Sequence, residues 1–180
     1  MNFYSDEIIN NIIDHSELDN IVDEIESFHK NIRFLIHRYS GNDIHYKYID
    51  SLLSDERNKL AFYCIDLEFS IYNSPVIMVY RKYISVNNPN EITYYILMIC
   101  TKYSFRNNGY ASKLLDEFTQ KIKKEDKKVR IILSSVENAV IFYENYGFKW
   151  TKDTLLNHSV LVQTEKYESD KEYFIMELIV

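Results

Sequence analysis

The sequence predicts a mixed α/β fold: a mostly antiparallel twisted sheet with one central parallel βαβ crossover and flanking helices. Three observations carry this prediction. Apolar, β-branched and aromatic runs at 60–69, 76–86 and 92–101 follow one another with turn chemistry between them, which most simply gives an antiparallel meander. The order then becomes strand (92–101), helix (109–124), strand (129–133), and such a crossover makes the two strands parallel neighbours. The alternation stops there, and the chain finishes in extended runs at 148–151 and 173–180, so a doubly wound sheet is excluded.

Residues 5–29 read as helical. Ile8, Ile9, Ile12 and Ile13 form one apolar cluster, and Leu18, Ile21, Val22, Ile25 and Phe28 continue at helical spacing; Ser16 followed by Asp19 offers a second helix start. Ile32 to Tyr39 reads as a strand closed by Ser40-Gly41-Asn42, and 43–59 as a helix. Turns at Tyr72-Asn73-Ser74-Pro75 and Asn87-Asn88-Pro89-Asn90 separate the three central strands. Tyr110, Ala111, Leu114, Leu115, Phe118 and Ile122 share one helical stripe. Ser134-Ser135 offers a cap for a further helix, with Ala139, Phe142, Tyr143 and Tyr146 on its inner face and Gly147 at its C-terminus. A polar stretch, 152–171, leads to the final strand. The organisation expected is one domain over 1–180, with 1–31 a helical N-terminal extension.

The chain has 180 residues, 46% hydrophobic and 27% charged, enough for one buried core. A net charge of −6 argues against a nucleic-acid binder, and the one basic run, Lys121 to Arg130, is broken by Glu125 and Asp126. No apolar run is long enough to span a bilayer, and the N-terminus lacks a signal-peptide pattern. Cys64 and Cys100 read as buried thiols in a reducing compartment. A cytoplasmic protein without membrane attachment is expected. Glycine occurs only at Gly41, Gly109 and Gly147, so those neighbourhoods are candidates for special backbone geometry.

The loop Lys102 to Gly109 leads from a strand straight into a helix N-terminus. Backbone N–H groups there have no intrahelical partner and sit at the positive end of the dipole, which suits a pyrophosphate. Gly109 lets the backbone approach closely, Ala111 keeps the first turn narrow, and Arg106 can add charge-assisted bonds. Taken alone the loop also reads as a plain connecting turn. It lacks the further glycines of a dinucleotide fingerprint and the Gly-Lys-Ser/Thr of a P-loop.

The segment Ile99-Cys100-Thr101…Arg106-Asn107-Asn108-Gly109-Tyr110-Ala111-Ser112-Lys113-Leu114-Leu115 resembles the (Arg/Gln)-x-x-Gly-x-(Gly/Ala) motif of the GNAT N-acetyltransferase superfamily. Asn138-Ala139-Val140-Ile141-Phe142-Tyr143-Glu144-Asn145-Tyr146-Gly147-Phe148 resembles that family's second block, in the expected order and spacing. The resemblance covers about residues 92–151. It implies the acyl-CoA N-acyltransferase fold, acetyl-CoA as co-substrate, no metal, and an amine acceptor on a small molecule or protein. It implies cofactor contacts at Ile99, Cys100, Thr101, Arg106, Asn107, Asn108, Gly109, Tyr110, Ala111, Ser112, Asn138 and Tyr143, with pantetheine along the strand backbone near 99–101. The extension before Ile32 and the length of 152–171 depart from the family pattern; the first could cover the acceptor side or form a homodimer contact.

An amine of pKa about 10.4 is neutral in only about one molecule in 2,500 at pH 7, so transfer needs help with a proton. The resemblance implies direct attack on the thioester with Tyr143 as general acid, a phenol holding its proton at neutral pH. Tyr143 also reads as a core aromatic, and Asn138 as an ordinary helix-start residue. The general base is not legible: Glu68, Glu91 and His158 are candidates that read equally as surface or packing residues. Cys100 is placed for its backbone rather than its thiol. The alternative class is a non-catalytic acyl-CoA-binding or regulatory module on the same fold.

Overall fold

The computed structural model describes residues 18–65, 71–85, 88–158, 160–161 and 172–180, with side chains from residue 27 onward. The predicted helix over 5–17, Glu68 and most of 152–171 lie outside the described residues. In chain order the elements are α1 (Leu18–Tyr39), α2 (Tyr46–Leu53), β1 (Asn58–Tyr63), β2 (Val76–Ile84), β3 (Glu91–Thr101), α3 (Tyr110–Ile122), β4 (Lys128–Val136), α4 (Glu137–Tyr146), β5 (Lys149–Trp150) and β6 (Tyr173–Ile179). The strands form one six-stranded sheet in the order β1-β2-β3-β4-β6-β5. The expected mixed α/β class is therefore observed, with β3 and β4 as the parallel pair. By contacts the chain divides into two compact units, Met1–Tyr80 with Met98–Phe118, and Arg81–Leu97 with Thr119–Val180.

In the first unit, the run expected as a strand from Ile32 to Tyr39 is instead the second half of α1. Its burial shows why. Ile32, Leu35, Ile36 and Tyr39 are buried, the i, i+3, i+4, i+7 stripe of a helix, whereas Phe34, which a strand would align with Ile32 and Ile36, is 51% exposed. No Gly or Pro interrupts the chain between Leu18 and Tyr39, so the helix propagates until Gly41, at φ 78°, turns it off. The sheet therefore begins at Asn58. On the shorter α2, Ile49 and Leu52 are buried, and Asp50 meets Arg33 of α1 at 2.9 Å. Arg33 also lies over the Tyr46 ring at 4.6 Å. At the foot of the meander the Lys102 N–H donates to the Pro75 carbonyl at 2.8 Å.

In the second unit, β3 and β4 run parallel from Glu91↔Lys128 to Ile96↔Leu133. β4 then pairs antiparallel with β6 from Arg130↔Ile179 to Val136↔Tyr173, and β5 adds Lys149↔Glu177 and Trp150↔Met176. Tyr95, Ile132, Ile175 and Leu161 form a buried cluster on one sheet face, joined by Tyr83, Leu97, Leu155 and Val160. Ser134 and Ser135 do not cap a helix as expected. The ladder with β6 holds both in β4, and Val136, extended at φ −75° and ψ 154°, is the residue that precedes α4. Gly147 does end α4, at φ 114°, its N–H donating to the Tyr143 and Glu144 carbonyls.

Glu125, in the turn after α3, accepts from the Tyr94 hydroxyl and from Lys82 Nζ at 2.7 Å. Burial raises the Glu125 pKa, but the bonds from Lys82 and Tyr94 and the nearby lysine charges outweigh it, and the net shift is downward. A carboxylate depressed in the folded state contributes stability above its unfolded pKa of about 4.3 and loses it as pH falls through the lower folded value. Glu125→Gln should therefore lower stability by about 1 kcal/mol at pH 7 and by less towards pH 3, as read from thermal midpoints across that range.

Candidate functional site

Most of the predicted cofactor residues lie together in the first unit. After Thr101 the chain makes one 3-10 turn, Tyr103–Phe105, closed by the Phe105 N–H on the Lys102 carbonyl at 2.8 Å. Arg106 is extended, Asn107 takes φ 62° and Gly109 φ 75°, so the backbone reverses within four residues. Asn108 Nδ2 donates to the Arg106 carbonyl at 3.1 Å and stiffens the turn. The helical ladder of α3 opens with the Lys113 N–H on the Gly109 carbonyl at 3.0 Å. By helix geometry the N–H groups of Tyr110, Ala111 and Ser112 precede that ladder.

Arg106, Asn107, Asn108 and Gly109 are all exposed, while Leu114 and Leu115 anchor α3 in the core. A Cβ built on Gly109 would meet nothing within 4 Å. The space in front of this backbone is open, as close approach of a phosphate requires. Three cations belong to this stretch of chain. Lys102 lies over the Phe105 ring at 5.4 Å, Arg106 over Tyr103 at 5.4 Å, and Lys113 over Tyr110 at 5.2 Å. The Tyr110 ring packs against Tyr63 and Phe105 and fixes the first turn of α3. The donor set fits a pyrophosphate.

Ile99, Cys100 and Thr101 form the end of β3, past the last residue in parallel register, Ile96. Burial pushes the Cys100 thiol up to about 12, against the opposing charge of Arg106. A thiol so raised is protonated at neutral pH, which argues against a nucleophilic role.

Asn138 and Tyr143 belong to the second unit. Asn138 is exposed in the first turn of α4. Tyr143 is 7% exposed, with Phe142 and Phe148 edge-on at ring distances of 5.0 and 5.5 Å. Tyr146 is half-buried against Phe148.

Glu91 opens β3 beside Lys128, at 3.7 Å. Lys128 and Val136, the two ends of β4, stand eight residue steps apart, roughly 27 Å. Glu91 thus lies beside the start of β4, whereas α4, which carries Tyr143, follows its end. His158 is buried, and burial lowers its pKa despite Asp153, so it is neutral at pH 7. A weak 3.4 Å contact joins its Nδ1 to the Val160 N–H.

Two polar arrangements carried no signal in the sequence. Tyr95 Oη lies 3.4 Å from Ser134 Oγ across β3 and β4. Arg130 bridges Thr93 Oγ1 at 2.8 Å and Glu177 Oε1 at 3.2 Å. Both depend on inter-strand register, which alternation within a single strand does not encode. Among the described residues no group of three His, Cys, Asp or Glu side chains could hold a metal ion, and no helix is long and apolar enough to cross a membrane.

Comparison with known proteins adds a family to this geometry. A model described as an acetyltransferase (GNAT) domain matches residues 77–167. No curated protein matches the chain. Among solved structures, Tetrahymena GCN5 aligns with a TM-score of 0.60 at 12% identity, covering 86% of this chain and 87% of that one. The NatC complex bound to Gag peptide and CoA aligns at 0.57 and 19% identity, covering 84% and 90%. Arabidopsis thaliana Naa50 in complex with the bisubstrate analogue CoA-Ac-MVNAL aligns at 0.53 and 19%, covering 83% and 92%. At these identities the structural likenesses speak for the fold.

Proposed function

The chain belongs to the GNAT acetyltransferase family, and on that premise we propose that it moves an acetyl group from acetyl-CoA to a primary amine. The observation that carries the proposal is the loop Arg106–Ala111. Its open backbone at Gly109, the N–H groups leading into α3 and the cations Lys102 and Lys113 suit the pyrophosphate of acetyl-CoA. The backbone of Ile99 to Thr101, continuing β3 beyond its registered pairing with β4, is the stretch along which the family binds pantetheine. Asn138 and Tyr143 are the family motif's residues in the second unit.

In the reaction a neutral amine attacks the thioester carbonyl, the carbon–sulfur bond breaks, the nitrogen gives up a proton to solvent as the amide forms, and the thiolate takes a proton. Tyr143 is assigned to supply that proton. Its ring is held between Phe142 and Phe148, which limits rotation about χ1 and χ2. The buried Cys100 thiol, held protonated, supports direct transfer rather than an acyl-enzyme. The acceptor class is a small-molecule or protein amino group. Two of the structural neighbours, NatC and Naa50, were determined with peptide or peptide-linked CoA, which favours a peptide amine.

The test is acetyl-CoA turnover against a panel of peptides with free N-termini, lysine-containing peptides blocked at the N-terminus, and small polyamines. Amine-dependent release of CoA with at least one class is expected. Binding of acetyl-CoA without transfer to any of them would favour a non-catalytic acyl-CoA-binding or regulatory module.

A further inference from the structure

The guanidinium of Arg106 is engaged by the protein's own backbone. Its Nη2 donates to the backbone carbonyl of Tyr39 at 2.9 Å, and its Nε to the carbonyl of Thr101 at 3.3 Å. Tyr39 is the last residue of α1. A helix leaves its final carbonyls without intrahelical donors. Here the turn after α1 satisfies three of them, with Ser40 N–H on Ile36, Asn42 N–H on His37 and Gly41 N–H on Arg38. The fourth, Tyr39, is met from 67 residues away by the charge that a helix C-terminus prefers.

The acceptor is itself firmly held. The Tyr39 side chain is 2% exposed, and its hydroxyl donates to the Ser74 carbonyl at 2.8 Å. Ser74 is fully buried, the one proton of its hydroxyl shared between the carbonyls of Tyr63 and Val76. Next to it the Pro75 carbonyl accepts from the Lys102 N–H, at the start of the phosphate loop. Lys102 and Arg106 thus tie both ends of the 3-10 turn to one anchor made of the α1 C-terminus and the strand start at 74–76.

We propose that Arg106 is a positioning residue: it caps α1 and, through that cap, holds the loop in the shape that presents the N–H groups of Asn107 to Ser112 to the pyrophosphate. The inference rests on the acetyl-CoA reading for its ligand, but the cap itself is made of protein groups alone. A direct phosphate contact and a positioning role both weaken binding when Arg106 is lost. They differ in two other readouts. A positioning role loosens Ser40–Asn42 and Lys102–Gly109 without ligand, and leaves the salt dependence of CoA affinity nearly unchanged. A phosphate contact does neither, since it removes one screened charge pair and no protein–protein bond.

The experiment compares wild type, Arg106→Ala and Arg106→Lys. Backbone hydrogen exchange is measured without ligand, and CoA affinity by calorimetry between 50 and 300 mM salt. Arg106→Ala is expected to weaken CoA about tenfold, a loss of one charge-assisted bond, with the salt slope retained. Exchange at Ser40–Asn42 and Lys102–Gly109 should accelerate several-fold, with partial recovery in Arg106→Lys, which can donate to one carbonyl. Unchanged ligand-free exchange in Arg106→Ala, with lowered affinity and a shallower salt slope, overturns the proposal. Wild type failing to bind CoA would instead sink the cofactor reading, and the exchange comparison would still decide whether the cap exists.

Discussion

Gly109→Glu is expected to abolish acetyl-CoA binding while the protein stays folded. The two halves of that expectation have different causes. Within the protein, a Cβ at this position has nothing within 4 Å to strike, so packing is not disturbed. The backbone cost is that of a side chain at φ 75°, about 1–2 kcal/mol, which a domain of ordinary stability survives. On the ligand side, the new carboxylate would occupy the space in front of the N–H groups leading into α3. Like charge brought against a pyrophosphate costs several kcal/mol, so affinity should fall by about 100-fold or more. Gly109→Ala separates the terms. It carries the same backbone strain without the charge, and should lose about as much stability but much less affinity. Calorimetric titration with CoA, alongside thermal unfolding, reads both. If Gly109→Glu binds CoA as wild type does, the loop is a connecting turn and the cofactor lies elsewhere.

Tyr143→Phe should slow transfer by about 100-fold, the lower end of what a general acid contributes, and leave CoA affinity within about threefold. The ring is retained, so its edge-on packing with Phe142 and Phe148 survives and a folding defect is not expected. Activity concerns only the hydroxyl. The loss should appear in kcat and in kcat/KM together, since the proton is donated as the carbon–sulfur bond breaks. A thioester whose thiol has a lower pKa needs less protonation, so the deficit should shrink with such a donor. Undiminished turnover removes Tyr143 from the acid role and returns it to the core aromatics.

What could be read in the sequence, and what could not, follows from the range of each interaction. The strand–loop–helix unit from Glu91 to Ile122 was legible because its signals are local. β-branched runs, the positive-φ glycine and the helical stripe from Tyr110 to Ile122 all fall within a few residues of one another. Gly147 was legible for the same reason, a helix stripe ending at the one glycine available. The segment Ile32–Tyr39 is helical although its short apolar run fits both periods. Only the burial of Leu35 beside Ile36, with Phe34 exposed, decides for the helix. Ser134-Ser135 carried a cap signature that the β4–β6 ladder overrode, a long-range pairing no local pattern reports. In the candidate site, Arg106 was found by its motif, but its bond to the Tyr39 carbonyl joins positions 67 residues apart and could not be foreseen. The Tyr95–Ser134 pair is hidden for the same reason.

The most direct test of the central claim is a crystal structure of the chain with acetyl-CoA. The account predicts pyrophosphate oxygens within hydrogen-bonding distance, about 3 Å, of backbone N–H groups between Asn107 and Ser112, with the thioester sulfur beside the Tyr143 hydroxyl. Acetyl-CoA bound with its pyrophosphate away from Gly109, or with Tyr143 remote from the sulfur, would contradict it.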